Sequence, residues 1–178
     1  MILDYKGERP IIHKTVFVAE SAEVIGDVTI GKDSSIWFHA VVRGDVNRIR
    51  IGERTNIQDG CILHVTRETH PLILKHGITV GHGVILHGCT IESNTLIGIG
   101  SILLDGSEVA EDTIIGAGSL VTEGTRIPSG VLAFGRPAKP YRDLTDQEIK
   151  RIRQSAVHYM QEKEIYRQGR EPESEMQE

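Results

Sequence analysis

A parallel β-solenoid of triangular cross-section, followed by one α-helix, is the fold class that this sequence predicts. Three observations predict it. Aliphatic residues recur at every sixth position over most of the chain, 19 of the 178 residues are glycine, and only 4% are aromatic. A period of six matches neither an amphipathic helix, which needs 3.6, nor an uninterrupted strand, which needs 2. It suits short strands joined by corners, in which each six-residue unit supplies one strand and one corner and three units close a coil of about 18 residues. The narrow interior of such a prism takes Val, Ile and Leu more readily than Phe or Trp.

The elements follow in order. Val18, Val24, Ile30, Ile36 and Val42 are inward anchors, and Ala22, Val28, Ser34, Ala40 and Val46 occupy a small or β-branched position four residues after each. The frame returns, shifted, at Ile51, Ile57 and Leu63, then at Leu74, Val80 and Leu86, and runs unbroken from Ile91 to Ile127. Some seven coils fit between Val18 and Ala138. The frame breaks in three places: about three residues are inserted near Asn47–Ile49, a longer loop intrudes between Val65 and Ile73, and one residue is lost between Leu86 and Ile91. Insertions in a solenoid map to loops, often on the binding face. After Pro140 the pattern changes. Thr145-Asp-Gln-Glu148 is a capping box, and Leu144, Ile149, Ile152, Ala156, Tyr159 and Met160 then recur at helical spacing. The expected organisation is a solenoid over 1–140, a helix within 141–168 packed on its outside, and a disordered acidic tail over 169–178.

Charge and cysteine content exclude several functions. With 20 Lys and Arg against 25 Asp and Glu the net charge is -5, so no basic field exists to hold a nucleic acid or an acidic lipid surface. Charges at Asp4, Lys6, Glu8 and Arg9 interrupt the N-terminus where a signal peptide needs an apolar run, and no apolar stretch long enough to cross a membrane occurs. A soluble cytoplasmic protein is expected. Cys61 and Cys89 are too few for a disulfide scaffold and read as reduced, space-filling side chains.

The histidines, eight in number, are the notable feature. Val42 to Leu63 is three hexapeptide steps, and Leu63 to Leu86 is three more, which is one coil each time. Arg43, His64 and His87, each directly after an anchor, therefore stack in one outward column. Imidazoles about 4.8 Å apart at the backbone can reach one metal ion. His82, two positions after Val80, falls on the preceding face in the column of Asp59, with Asn56 and Gln58 beside it. A ligand on another face of a rigid prism meets the first two only if prisms pack side by side. Threefold packing would set the Asn56/Gln58/Asp59/His82 face of one subunit against the Arg43/His64/His87 face of the next. For a single outward histidine a solvated side chain is the commoner state, and His13, His39, His70, His76 and His158 keep that reading.

Together with Ile115-Gly-Ala-Gly-Ser-Leu120 and Phe134-Gly-Arg-Pro-Ala-Lys139, the hexapeptides resemble the left-handed β-helix proteins of the hexapeptide-transferase superfamily over about three quarters of the chain. The constellation Arg43-Gly-Asp45, Asn56-Ile-Gln58-Asp59, His64 and Gly81-His82-Gly-Val-Ile-Leu-His87-Gly88 resembles the γ-class carbonic anhydrases. That resemblance implies a homotrimer in which His64 and His87 of one subunit and His82 of its neighbour bind zinc, or iron in some members. It implies that Gln58, with Asn56, orients solvent or substrate, and that Arg43, Asp45 and Asp59 are interface charges. Tyr159 resembles a tyrosine that approaches the metal in related proteins.

Three neutral histidines leave a fourth zinc position open, so the expected reaction is attack of a zinc-bound hydroxide on CO2 to give bicarbonate. Two family glutamates that pass protons to solvent are missing. Val46 stands at one position, and the loop Thr66-Arg-Glu-Thr-His-Pro71 is short, with Glu68 and His70 as candidate replacements. Alternative functions are a hexapeptide acyltransferase, a metal-dependent CoA-thioester hydrolase, and a metal-binding trimer with weak or no catalysis.

Overall fold

The computed structural model describes residues 1–169, and the tail expected to be disordered lies, from Arg170 on, outside the described residues. The six-residue period becomes a three-sided prism. Its first face stacks the N-terminal half of Val41–Ile51 with Ile62–His64, Ile85–His87, Ile102–Leu103 and Leu120–Val121. Its second face stacks the C-terminal half of Val41–Ile51 with Leu72–Leu74, Thr90–Ile91, Glu108–Val109 and Arg126–Ile127. The third face carries seven parallel strands, from Phe17–Val18 to Val131–Gly135, which corresponds to the seven coils expected.

Anchors stack in register with no slip between coils. Val42, Leu63, Leu86, Leu103 and Val121 pair along the first face, and Ile36, Ile57, Val80, Ile97, Ile115 and Ala133 along the third; all are fully buried. The small residues at the corners also donate hydrogen bonds between coils. Ser34 Oγ donates to Gly52 O at 2.7 Å, Thr113 Oγ1 to Pro128 O at 3.0 Å, Ser101 Oγ to Gly116 O at 3.1 Å and Cys61 Sγ to Gly81 O at 3.1 Å. A corner therefore takes a short side chain, as Ala22 and Ala40 do, and Ser or Thr there adds a bond between coils. Cys61 and Cys89 are free and buried, and burial pushes both thiols up to about 12, so neither is a nucleophile at neutral pH.

At its C-terminal end the solenoid does not stop at residue 140. Ala138–Asp143 folds back antiparallel on Val131–Gly135, pairing the edge that the last coil would otherwise leave open. This strand reverses the chain, and the helix Asp146–Gln168 then runs back along the third face. Thr145 and Glu148 form the capping box read from the sequence. Ile152 and Ala156 are buried beneath the helix, as the stripe requires, but so is Lys163, whose Nζ donates to Thr15 O at 2.9 Å and pairs with Glu164. The few aromatic rings gather outside the prism. Trp37 packs against Phe17, Tyr159 and Tyr166 with ring centroids 5.1–5.5 Å apart, between the third face and the helix. No helix among the described residues is long and apolar enough to cross a membrane.

Candidate metal centre

Two separate corners of the first face carry the residues singled out in the sequence. At its far corner His64 and His87 pair directly across adjacent coils. Their nitrogens face each other: His64 Nδ1 and His87 Nε2 are 3.2 Å apart. Each ring is held from behind by a carboxylate. Asp45 Oδ1 lies 3.0 Å from His64 Nε2, and Asp105 Oδ1 lies 2.6 Å from His87 Nδ1. Asp45 also takes a close ion pair from Arg43, so Arg43, Asp45 and His64 form one chain of contacts.

Both insertions in the repeat serve this corner. In Val41–Ile51 the register jumps: Gly44 faces Gly26 but Ile49 faces Val28, which leaves Asp45 in the widened segment, aimed across at His64 rather than along the ladder. The longer insertion closes on itself through a bridge between Thr66 and His70 and is tied to the bulge by Asn47 Nδ2, which donates to Thr66 O at 3.0 Å. Thr66 Oγ1 donates to Asp105 Oδ2 at 2.5 Å, and His70 Nδ1, buried without a hydrogen bond, is 3.9 Å from the same oxygen. Glu68 sits exposed at the loop. Gly88 has φ +54°, and a Cβ there would lie 2.2 Å from Asp105 Oδ1, so a glycine after His87 is what admits the carboxylate.

Electrostatics reinforce the geometry. Burial alone would raise the carboxyl pKa of Asp45, but hydrogen bonds from His64 and Arg43 outweigh it and hold the group below the usual carboxylate range. Asp105 behaves likewise, with Thr66 and His87 offsetting burial. Both therefore stay ionised at neutral pH and accept the N–H of the ring behind them. Where each ring turns its N–H to the carboxylate behind it, the two nitrogens facing across 3.2 Å are both acceptors. Such a pair repels unless a cation or a shared proton lies between, and nitrogens sharing one tetrahedral zinc sit about 3.3 Å apart. The donor set fits a divalent metal of the zinc or iron type, with carboxylate-backed histidines.

At the near corner His82 lies in the turn after Thr79–Val80, one step beyond the third face where the step count placed it. Its Nδ1 is 2.8 Å from Asp59 Oδ2, on the coil before. Asn56 is fully buried, donating from Nδ2 to Thr79 Oγ1 at 3.0 Å and to Ile78 O at 3.3 Å, and accepting from Gln58 Nε2 at 3.2 Å. Thr79 Oγ1 in turn meets Ser155 Oγ of the helix at 3.0 Å. Asn56 is thus committed to holding Gln58, whose Oε1 accepts from no group among the described residues. Gln58 and Tyr159 line a groove of about 450 Å³ between the helix and the solenoid, floored by Leu96 and Ile114. Burial, with Asp59 and Glu162 nearby, raises the pKa of Tyr159, so its phenol keeps its proton.

Within one chain the two corners do not meet. Among the described residues no three histidine, cysteine or acidic side chains converge as a metal site. Asp105 and Thr66 were not picked out by the sequence reading. The signal was present: Asp105 lies two positions after Leu103, the anchor one coil beyond Leu86, which puts it in the column of Gly88.

This fold and these corners define a hexapeptide-repeat β-helix protein. A family model described as "Bacterial transferase hexapeptide (six repeats)" matches residues 88–123. The chain superposes on an acetyltransferase candidate from Bacillus cereus with TM-score 0.91 and 48% identity, covering 93% of this chain and 95% of that one. It is 47% identical over 167 residues to a carbonic anhydrase of Geobacillus kaustophilus, covering 94% of this chain and 91% of that one. It is also 50% identical over 155 residues to the mitochondrial Gamma carbonic anhydrase 1 of Arabidopsis thaliana, covering 84% of this chain and 56% of that one. The chain belongs to the γ-carbonic anhydrase family. It spans less than two thirds of the length of its plant relatives.

Proposed function

We propose that the protein catalyses the reversible hydration of CO2 to bicarbonate at a divalent metal, zinc or iron. The ligands are His64 and His87 of one subunit and His82 of its neighbour in a homotrimer. The observation that carries this reading is the pair of facing nitrogens, His64 Nδ1 and His87 Nε2, each with its other ring nitrogen on a carboxylate. A metal bound there supplies a water activated for attack at neutral pH.

The remaining steps belong to the chain's own side chains. Asp45 and Asp105 fix the tautomers of His64 and His87 by accepting the far N–H of each, and Asp59 lies 2.8 Å from His82 Nδ1. Gln58, held by Asn56, offers its carbonyl oxygen to a water hydrogen and so sets the direction of the attacking lone pair. Tyr159 closes the groove beside Gln58 with a protonated hydroxyl that can donate to a substrate oxygen. An aliphatic stripe supports the shared site. Val41, Ile62, Ile85, Ile102 and Leu120 point outward in register on the first face, between the two histidine corners, with Ile62 46% exposed. A second subunit packed on that stripe would bring opposite corners together.

The groove, larger than CO2 requires, favours one second reading, hydrolysis of a bulkier carbonyl substrate such as a CoA thioester. Stopped-flow CO2 hydration and thioester hydrolysis on zinc- and iron-loaded protein separate the two, with metal content and molar mass measured on the same sample. A fully loaded monomer would contradict the shared site.

A further inference from the structure

Hydration of CO2 by water yields bicarbonate and one proton, and that proton must leave for turnover to continue. A second cavity, about 270 Å³, lies on the other side of Tyr159 from the groove. Its walls include the rings of Trp37, Phe38 and Tyr166, and its titratable lining is Asp59, His158, Tyr159 and Glu162. Asp59, which lines this cavity, is the carboxylate 2.8 Å from His82 Nδ1, and through it the cavity adjoins the residue that would carry the third ligand. His158 stands at its solvent side with a side chain 63% exposed, its Nε2 3.8 Å from Glu162 Oε1 one helical turn further on.

We propose that His158, steered by Glu162, is the station that takes the proton released by hydration and hands it to buffer; this rests on the CO2 reading above. The groups facing the imidazole are Glu162 from its own helix, Asp59 from the solenoid and the Tyr159 phenol, whose raised pKa keeps it from competing as a base. Imidazole is the side chain that ordinarily changes charge near neutral pH. The proton reaches a ring nitrogen through water in the cavity, with the Glu162 carboxylate 3.8 Å from Nε2 acting as a nearby charge rather than a hydrogen-bond partner. The Glu162 carboxylate stabilises the resulting imidazolium. A buffer base then removes the proton and restores the neutral ring. This acceptor stands on the helix, away from the inserted loop and from Val46.

The test uses the full-length zinc-loaded protein, with CO2 hydration followed at low and high buffer concentration. His158→Ala should lower kcat at low buffer about tenfold, less than a direct general base contributes. It should leave kcat/KM unchanged and be restored by added imidazole. Glu162→Gln should give a smaller loss of the same form. Zinc affinity by chelator competition and the melting temperature of His158→Ala should match wild type, because the residue touches neither the ligands nor the core. An unchanged kcat at low buffer, or a loss of zinc affinity, overturns the proposal. So does a buffer-dependent loss in His70→Ala and not in His158→Ala. Wild-type protein without hydration activity defeats the CO2 reading and this proposal together, whereas active wild type with an unaffected His158→Ala defeats the proton station alone.

Discussion

At the scale of single residues, the centre depends on carboxylates that touch rings rather than substrate. Asp105 accepts from His87 Nδ1 and is itself held by Thr66. Asp105→Ala frees the ring to rotate and to change tautomer, so zinc affinity should fall by about 10- to 100-fold, the range for such supporting groups. Chelator competition measures it, and Thr66→Val should give a smaller loss in the same direction. Gly88→Ala offers a different route to the same end. Its φ of +54° disfavours a side chain, and the new methyl would displace Asp105. A drop in stability of about 1–2 kcal/mol is expected from the backbone alone, together with weakened zinc binding, read by denaturant melts and chelator competition on one preparation. His64, His82 and His87 were legible because a residue at a fixed offset from an anchor repeats its position with every coil. Asp105 was hidden because it lies two positions after its anchor Leu103, in a column where the coil before carries only Gly88.

At the scale of elements, the helix is positioned by charge at its start and by Lys163 near its end. Glu148 hydrogen bonds to Arg142 and to Thr145, and these bonds bring its carboxyl from the ordinary 4.5 down to about 2. A folded-state pKa below the unfolded one stabilises the fold above the unfolded value. That contribution is lost as pH falls through the interval toward 2. Amide exchange in the first helical turn, corrected for intrinsic rates, should therefore rise relative to the solenoid between about pH 4 and about pH 2, and Glu148→Gln should remove that dependence. Thr145→Ala, which deletes the cap oxygen, should cost about 1 kcal/mol. The capping box and the Ile152/Ala156 stripe were readable because helical spacing is local. Lys163 was not, since its burial depends on Thr15 O and Asp33, in two turns of the solenoid that lie 148 and 130 residues earlier in the chain.

At the scale of the whole molecule, seven coils share one aliphatic core, so a cavity at any level weakens the stack. Leu86→Ala should cost about 2–5 kcal/mol, and urea titration with a single transition would show that the coils unfold together. The proposed trimer is testable at the same scale. Replacing the outward Ile62 by Glu buries a charge in any subunit contact along the aliphatic stripe but leaves the core intact. On the proposed shared site, sedimentation should then show single chains, and zinc content should fall with it, because His82 would no longer meet His64 and His87. The six-residue period revealed the prism, since stacking in register repeats whatever the sequence repeats. How the helix lies against it was not revealed, because that follows from the strand Ala138–Asp143, which has no period. That strand has a mechanical consequence. The hairpin acts as a phase-setting joint: one residue removed from this extended strand would draw the start of the following helix back by about 3.3 Å and reverse the faces the strand presents. One deletion there would take Ser155 off Thr79 and turn Tyr159 and His158 away from their cavities together, leaving every coil and every histidine of the prism in place.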